Sequence, residues 1–333
     1  MTQSTNQPAP QWPGHWVELP AGQLYVRTAP ATPGAEPALF VHGLGGSSTN
    51  WTDLMDLLSR PQDAGPAART LACSAVDLPG FGCSEPPADG DYSISSHATA
   101  VTDLLERQGQ WPVHLIGNSM GGTVAIRVAA QRPDLVRTLT LISPALPDLR
   151  PRALPLRLAV AATPGFGPRL LDWLQRLPAD VRADRTIKDL YNDPALLHPD
   201  RRGEQIAELL RRDVLPYAND AVIRSARSLV IEYTRRGPTS LWRDAARTAA
   251  PALILHGSHD RLVNPAMAAK AARAFRNARV LVLPGVGHVA MMERPALVAA
   301  EIRAFLDRVA AFGLATGRAR QSAAAVAGDQ ARS

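Results

Sequence analysis

The hydrophobic positions of this chain fall into short runs separated by stretches with helical spacing. From Trp12 onward, β-type runs occupy 15–19, 23–28, 38–41, 71–76, 113–116 and 139–142, and helical stretches lie at about 94–107 and 123–130. Apolar runs alternating with helices predict a parallel sheet with crossover helices, buried on both faces. Between 148 and 247 the texture changes to helical periodicity with proline breaks and no central strand. Its clearest part is 216–236, where Val222, Ile223, Ala226, Leu229, Val230 and Tyr233 form one stripe. The strand and helix rhythm resumes with a strand at 252–255, a helix from about 265, a strand at 280–283 and a last helix at 295–312. The pattern is an α/β core, 12–147 and 248–312, carrying a helical insertion at 148–247. Residues 1–11 are polar and proline-bearing, and 313–333 lack a core pattern; both are expected to be disordered.

Length and composition narrow this picture. At 333 residues the chain suits one large domain with a substantial insertion, and 46% hydrophobic with 20% charged residues excludes global disorder. Two cysteines, Cys73 and Cys83, neither staple a secreted scaffold nor make a four-cysteine zinc site, so free thiols are expected. No uncharged apolar run approaches the length of a membrane span and the start has no leader pattern, so the expected location is cytoplasmic. Of 36 basic residues only Lys188 and Lys270 are lysine, and the net charge is +6. The excess is concentrated in 148–247, with 18 basic against 13 acidic residues, and in the tail. No basic stripe interleaved with aromatic residues appears, so nucleic acid is excluded as a partner and the arginine bias is read as compositional. The apolar stretch 153–162, interrupted by Arg157, reads as a helix packed on the sheet, with docking on a membrane surface as the other reading. Oligomeric state is left open.

Candidate chemistry sits at the ends of the predicted strands. Gly117-Asn118-Ser119-Met120-Gly121-Gly122 lies between an apolar run and a helical one. A strand entering a helix through so tight a turn leaves Ser119 exposed in a strained conformation, and the flanking glycines give the backbone room. A serine nucleophile needs a base, an acid to orient it and donors for an oxyanion. His288 follows the 280–283 strand and Asp260 follows the 252–255 strand, both on the side where open α/β sheets build their sites. Two backbone N–H groups, of Leu44 in His42-Gly43-Leu44-Gly45-Gly46 and of Met120, are the expected oxyanion donors. A phosphate cradle is the competing reading of that glycine loop, but neither the P-loop lysine nor the dinucleotide glycine spacing is present. Gly43 and Asn118 are expected next to substrate. No metal or organic cofactor is called for.

Together these motifs resemble the α/β-hydrolase superfamily over about 15–312. The segment Asp77-Leu78-Pro79-Gly80-Phe81-Gly82, Gly257 with Asp260, and Gly287-His288 add to the likeness. The resemblance implies a mostly parallel eight-stranded sheet with helices on both faces and a helical cap between strands six and seven. It also implies a Ser119–Asp260–His288 triad acting through an acyl-enzyme on a small, apolar acyl substrate. Serine at 119 is unlike the dehalogenase and epoxide hydrolase branches, which use aspartate. Asn118 resembles carbon–carbon bond hydrolases acting on vinylogous diketones, although Val289 stands where those enzymes commonly carry an aromatic residue.

Several residues have two readings. His42 is expected to brace the oxyanion loop, and Asp77 to cap a turn. Asp148 is the fallback acid for Asp260. His256 and His259 beside Asp260 suggest a metal site, but no further ligand cluster accompanies them. Trp51 and Trp173 are either core residues or the lining of an acyl pocket. Beyond enzymes, the alternatives are a ligand receptor that has kept the triad, or a module docking a partner through its arginine-rich insertion and tail.

Overall fold

The computed structural model describes residues 8–61, 69–148, 163 and 165–330, with the backbone alone for 166, 168 and 313–330. The expectations for 1–7 and for the apolar stretch 153–162 lie outside this set, whereas the last helix, expected to end at 312 before a disordered tail, continues in its backbone to Gln330. Eight strands form one sheet: β1 (Gly14–Leu19), β2 (Gly22–Thr28), β3 (Glu36–Val41), β4 (Leu71–Val76), β5 (Val113–Asn118), β6 (Val136–Ile142), β7 (Ala252–Gly257) and β8 (Ala278–Leu283). Their spatial order is β1-β2-β4-β3-β5-β6-β7-β8. β2 runs antiparallel to both its neighbours, and every other pairing is parallel. All eight expected runs are strands. Several extend over polar ends such as Glu36 and Arg279, because ladder hydrogen bonds use backbone groups whatever the side chain.

The strands alternate between two cores, as a sheet buried on both faces requires. Leu39, Val41, Leu115 and Ile254 join one core with Leu104, Val124 and Val128, whereas Phe40, Ile116, Leu253 and Leu255 join the other with Leu54, Met55, Leu58, Val298 and Ile302. Apart from Val298 and Ile302, which belong to the last helix of the chain, these helical residues come from α1 (Thr52–Ser59), α2 (Ile94–Gln108) and α3 (Met120–Gln131). The sequence reading passed over α1, although Leu54, Met55 and Leu58 carry its helical spacing and are fully buried. Trp51, just before α1, is fully buried against Phe40, with ring centroids 5.3 Å apart, so it is core rather than pocket.

Between β6 and β7 the described residues form helices and no strand. These are α4 (Phe166–Gln175), α5 (Ala179–Leu190), α6 (Pro199–Asp213), α7 (Ala218–Thr234) and α8 (Leu241–Arg247), followed in the chain by α9 (Met267–Ala274), α10 (Ala290–Glu293) and α11 (Pro295–Gln330). α8 packs on α3, with Leu241 and Ala245 in the first core. Trp173 of α4 is 55% exposed, which takes it out of the core. A buried cation anchors this segment: Arg127 of α3 pairs with Glu232 of α7 and Asp244 of α8, each at 2.9 Å, and also donates to Ser95 of α2. Removing one partner of such a cluster strands a buried charge, so the cluster fixes where α7 and α8 sit relative to α3. No described helix is long and apolar enough to cross a membrane, and both cysteines are free.

His97 of α2 adds a pH-dependent term to this packing. It is fully buried, its Nε2 lies 3.0 Å from Ser225 Oγ of α7, and its Nδ1 has no partner among the described residues. Burial, with a smaller push from His42, takes its pKa from 6.5 down to about 3. The unfolded chain therefore takes up this proton at higher pH than the folded chain does. Stability is complete above pH 6.5 and falls as the pH drops toward 3. On the order of 3 kcal/mol should be lost by pH 4 relative to pH 7. Denaturant midpoints measured across that window should slope upward with pH, and His97→Gln should flatten the slope.

Candidate active site

β5 leads straight into Ser119, whose φ of 53° and ψ of −117° place a non-glycine residue in a strained region before α3 begins at Met120. Only glycine fits on either side of this turn. A Cβ at Gly117 would come 2.4 Å from the Gly121 carbonyl oxygen, and one at Gly121 would come 2.2 Å from the carbonyl oxygen of Val41. The helix start is thereby pressed against the end of β3, where the glycine loop begins. Gly43 of that loop faces the serine, since a Cβ there would lie 3.2 Å from Ser119 Cβ.

The loop holds its shape through His42. Its Nδ1 lies 2.8 Å from the Gly43 carbonyl oxygen, and its Nε2 accepts the Leu78 N–H at 3.0 Å. An accepting Nε2 makes Nδ1 the protonated nitrogen, and burial pushes the pKa of the ring down, so His42 is neutral. Asp77 caps the adjoining turns, accepting from Ser48 N–H at 2.5 Å and Cys83 N–H at 2.8 Å. Gly46 N–H closes the loop onto the Gly43 carbonyl at 3.0 Å, a turn that does not use the Leu44 amide. Met120 opens α3, so its N–H is one of the first-turn donors without an intrahelical acceptor.

His288 and Asp260 meet beyond β8 and β7. His288 Nδ1 lies 2.8 Å from Asp260 Oδ2, and both residues are buried. The other carboxylate oxygen, Oδ1, accepts from the N–H groups of Leu262 and Val263, each at 2.8 Å. Burial alone would raise the Asp260 carboxyl. The charge and hydrogen bond of His288, the Val263 amide and the Ser143 hydroxyl outweigh it and hold the pKa below the usual carboxylate range. An ionised Asp260 accepts a hydrogen bond from the Nδ1–H of the imidazole and keeps the ring proton there, which leaves Nε2 as the basic nitrogen. Asp148, the fallback acid, instead accepts from Asn264 Nδ2 at 3.1 Å.

Asn118 joins the serine turn to the histidine loop. Its Nδ2 donates to the Ile142 carbonyl at 3.0 Å and to the His288 carbonyl at 3.3 Å. Its amide nitrogen is committed to the main chain and ties the two loops together, while its Oδ1 faces Gly43, where a Cβ would come within 3.0 Å of it. Sequence reasoning also missed Glu293, a buried carboxylate that accepts from the N–H groups of Gly287 at 2.7 Å, Asp193 at 2.9 Å and Asn192 at 3.2 Å. With the His288 N–H donating to the Leu190 carbonyl at 2.8 Å, Glu293 fastens the histidine loop to the chain after α5. Nothing in local spacing marks Glu293, because its partners are distant in sequence. His256 is fully buried while His259 is exposed and bonded to Ser258 Oγ, and no described cluster of His, Cys, Asp and Glu is arranged to hold a metal ion.

A family model described as the alpha/beta hydrolase fold matches residues 37–295. Among curated relatives, Lipase 3 of Moraxella sp. (strain TA144) is 25% identical over 283 residues, covering 82% of this chain and 78% of that protein. Monoacylglycerol lipase abhd6-B of Xenopus laevis is 28% identical over 273 residues, covering 80% and 74%. Among solved structures, 2-hydroxy-6-oxo-6-phenylhexa-2,4-dienoate hydrolase from Rhodococcus sp. strain RHA1 superposes with a TM-score of 0.68 at 20% identity, covering 89% of this chain and all of that one (100%). At that identity the likeness is one of fold.

Proposed function

Because this chain belongs to the α/β-hydrolase family, we propose that it is a serine hydrolase of carboxylic esters working through an acyl-enzyme. The observation that carries this reading is the strained Ser119 turn tied by Asn118 to a buried His288–Asp260 pair. The lipase names of the relatives from Moraxella and Xenopus support an ester substrate. In this reading His288 Nε2 takes the Ser119 proton as the hydroxyl attacks the carbonyl carbon, and Asp260 stabilises the imidazolium. The N–H groups of Leu44 and Met120 hold the oxyanion, each worth about 3 kcal/mol in the transition state. His288 returns the proton to the leaving alcohol, and water then releases the acyl group by the same route. The helices between β6 and β7 cap the site and select an apolar acyl chain, and the chemistry requires no cofactor.

Hydrolysis of p-nitrophenyl esters from acetate to laurate tests the reading. Turnover with a single chain-length optimum is expected, and folded protein inactive on every ester would overturn it. Cleavage of a vinylogous diketone would then take its place, a reaction suggested in sequence by Asn118 and compatible with the fold likeness to the Rhodococcus dienoate hydrolase.

A further inference from the structure

Among the described residues the arginines of α5 and α6 are matched by carboxylates, except Arg185, which is exposed to solvent, and Arg212. Arg182 pairs with Asp213, Arg201 with Asp53 and Glu204, Arg202 with Asp184, and Arg211 with Glu208. Arg212, in the last turn of α6, donates from Nη1 to the carbonyl of Gly45 at 3.1 Å. Among the described residues it has no carboxylate within ion-pair distance. The acids that act on it from nearby, Glu208 and Asp213, are already engaged by Arg211 and Arg182. The stretch 149–162 brings three more arginines and no acid, and beyond the described side chains the sequence holds just two acidic residues, Asp63 and Asp329.

Its location gives this spare cation a use. Gly45 follows Leu44, the candidate oxyanion donor, and Gly43 faces Ser119, so the guanidinium lies within two residues of the loop that touches the serine. Two residues of chain span at most about 7 Å. Arg211 and Glu208 pair with each other beside it. Burial pushes the pKa of Arg212 below the ordinary arginine value, and neighbouring Arg211 and Arg182 push the same way, although the group stays charged at neutral pH. A partly buried guanidinium spending one bond on a carbonyl has unused donors in a fork that matches carboxylate or phosphate. A favourable place at a helix C-terminus accounts for a cation here. It does not supply the missing counter-charge.

We infer that Arg212 is the anion-recognition residue of this site, pairing with a carboxylate or phosphate on the ester substrate while the scissile carbonyl lies against Ser119. The inference rests on the serine-hydrolase reading. Its test compares p-nitrophenyl butyrate with the mono-p-nitrophenyl ester of glutaric acid, which adds a carboxylate at the end of a short spacer. In Arg212→Gln the ratio of kcat/KM for the anionic ester over the neutral one should fall about tenfold or more, mainly through KM. Arg212→Lys should restore part of the ratio, and Arg202→Gln, which removes a positive charge elsewhere, should leave it at the wild-type value. Calorimetric titration with free glutarate and with inorganic phosphate provides a readout without turnover. Arg212→Gln should weaken binding, and the tighter probe tells carboxylate from phosphate. An unchanged ratio, or equal losses on both esters, would overturn the proposal and leave Arg212 as a brace for Gly45. If wild type hydrolyses no ester, the serine-hydrolase reading fails. The titration still decides Arg212, and the absence of probe binding, or binding unaffected by Arg212→Gln, counts against it.

Discussion

Ser119→Ala should lower kcat on the best p-nitrophenyl ester by about 10⁴-fold or more, because the group that forms the covalent bond is gone and the base has nothing to activate. The fold should survive. The bonds that shape this turn run through the Ser119 main chain, with its N–H donating to the Ile142 carbonyl at 3.1 Å and its carbonyl accepting from Ala145 at 3.0 Å. Alanine keeps both. Circular dichroism and the thermal midpoint should match wild type while steady-state turnover collapses. Turnover persisting within tenfold of wild type would remove Ser119 from the mechanism.

Asp260→Asn should cost nearly as much, about 10⁴-fold in kcat, for a different reason. Asparagine can present its oxygen to the N–H groups of Leu262 and Val263 as Oδ1 now does at 2.8 Å, so the turn after β7 stays formed. Its NH₂ then faces His288 Nδ1 and forces the proton onto Nε2, the nitrogen that has to act as base. Asp260→Ala separates the two roles. It loses the same activity and also leaves two amides without their acceptor, which should cost a further ~1–3 kcal/mol of stability. Denaturation midpoints of the two variants against wild type check the distinction. Equal stability losses would mean that Oδ1 does not support the turn.

The fold was legible because the central strands of the sheet are apolar runs closed by glycine, proline or a polar cluster, a signal that depends only on neighbouring residues. The glycines around Ser119, and the placing of Asp260 and His288 just past strand ends, were legible for the same reason. What stayed hidden depends on contacts between distant positions. Asn118 and His288 are 170 residues apart, and Glu293 reaches Asn192 across 101. No spacing rule links such pairs until the sheet brings β5, β6 and β8 to one edge of the site. Trp51 illustrates the reverse limit. A tryptophan close to a catalytic loop in sequence serves either pocket or core, and its burial against Phe40 decides for core. Arg212 looked like one of many compositional arginines. It stands apart only when each of its neighbours is seen to be paired.

The most direct measurement is the site of covalent modification by diethyl p-nitrophenyl phosphate, a phosphorylating analogue of an ester substrate. Intact-mass spectrometry of treated wild-type protein should find one diethylphosphoryl group per chain, formed in step with loss of activity. Peptide mapping should place it on Ser119, and Ser119→Ala should take up none. An unmodified, still active protein, or a stoichiometric adduct on any other residue, would contradict the assignment of Ser119 as the nucleophile.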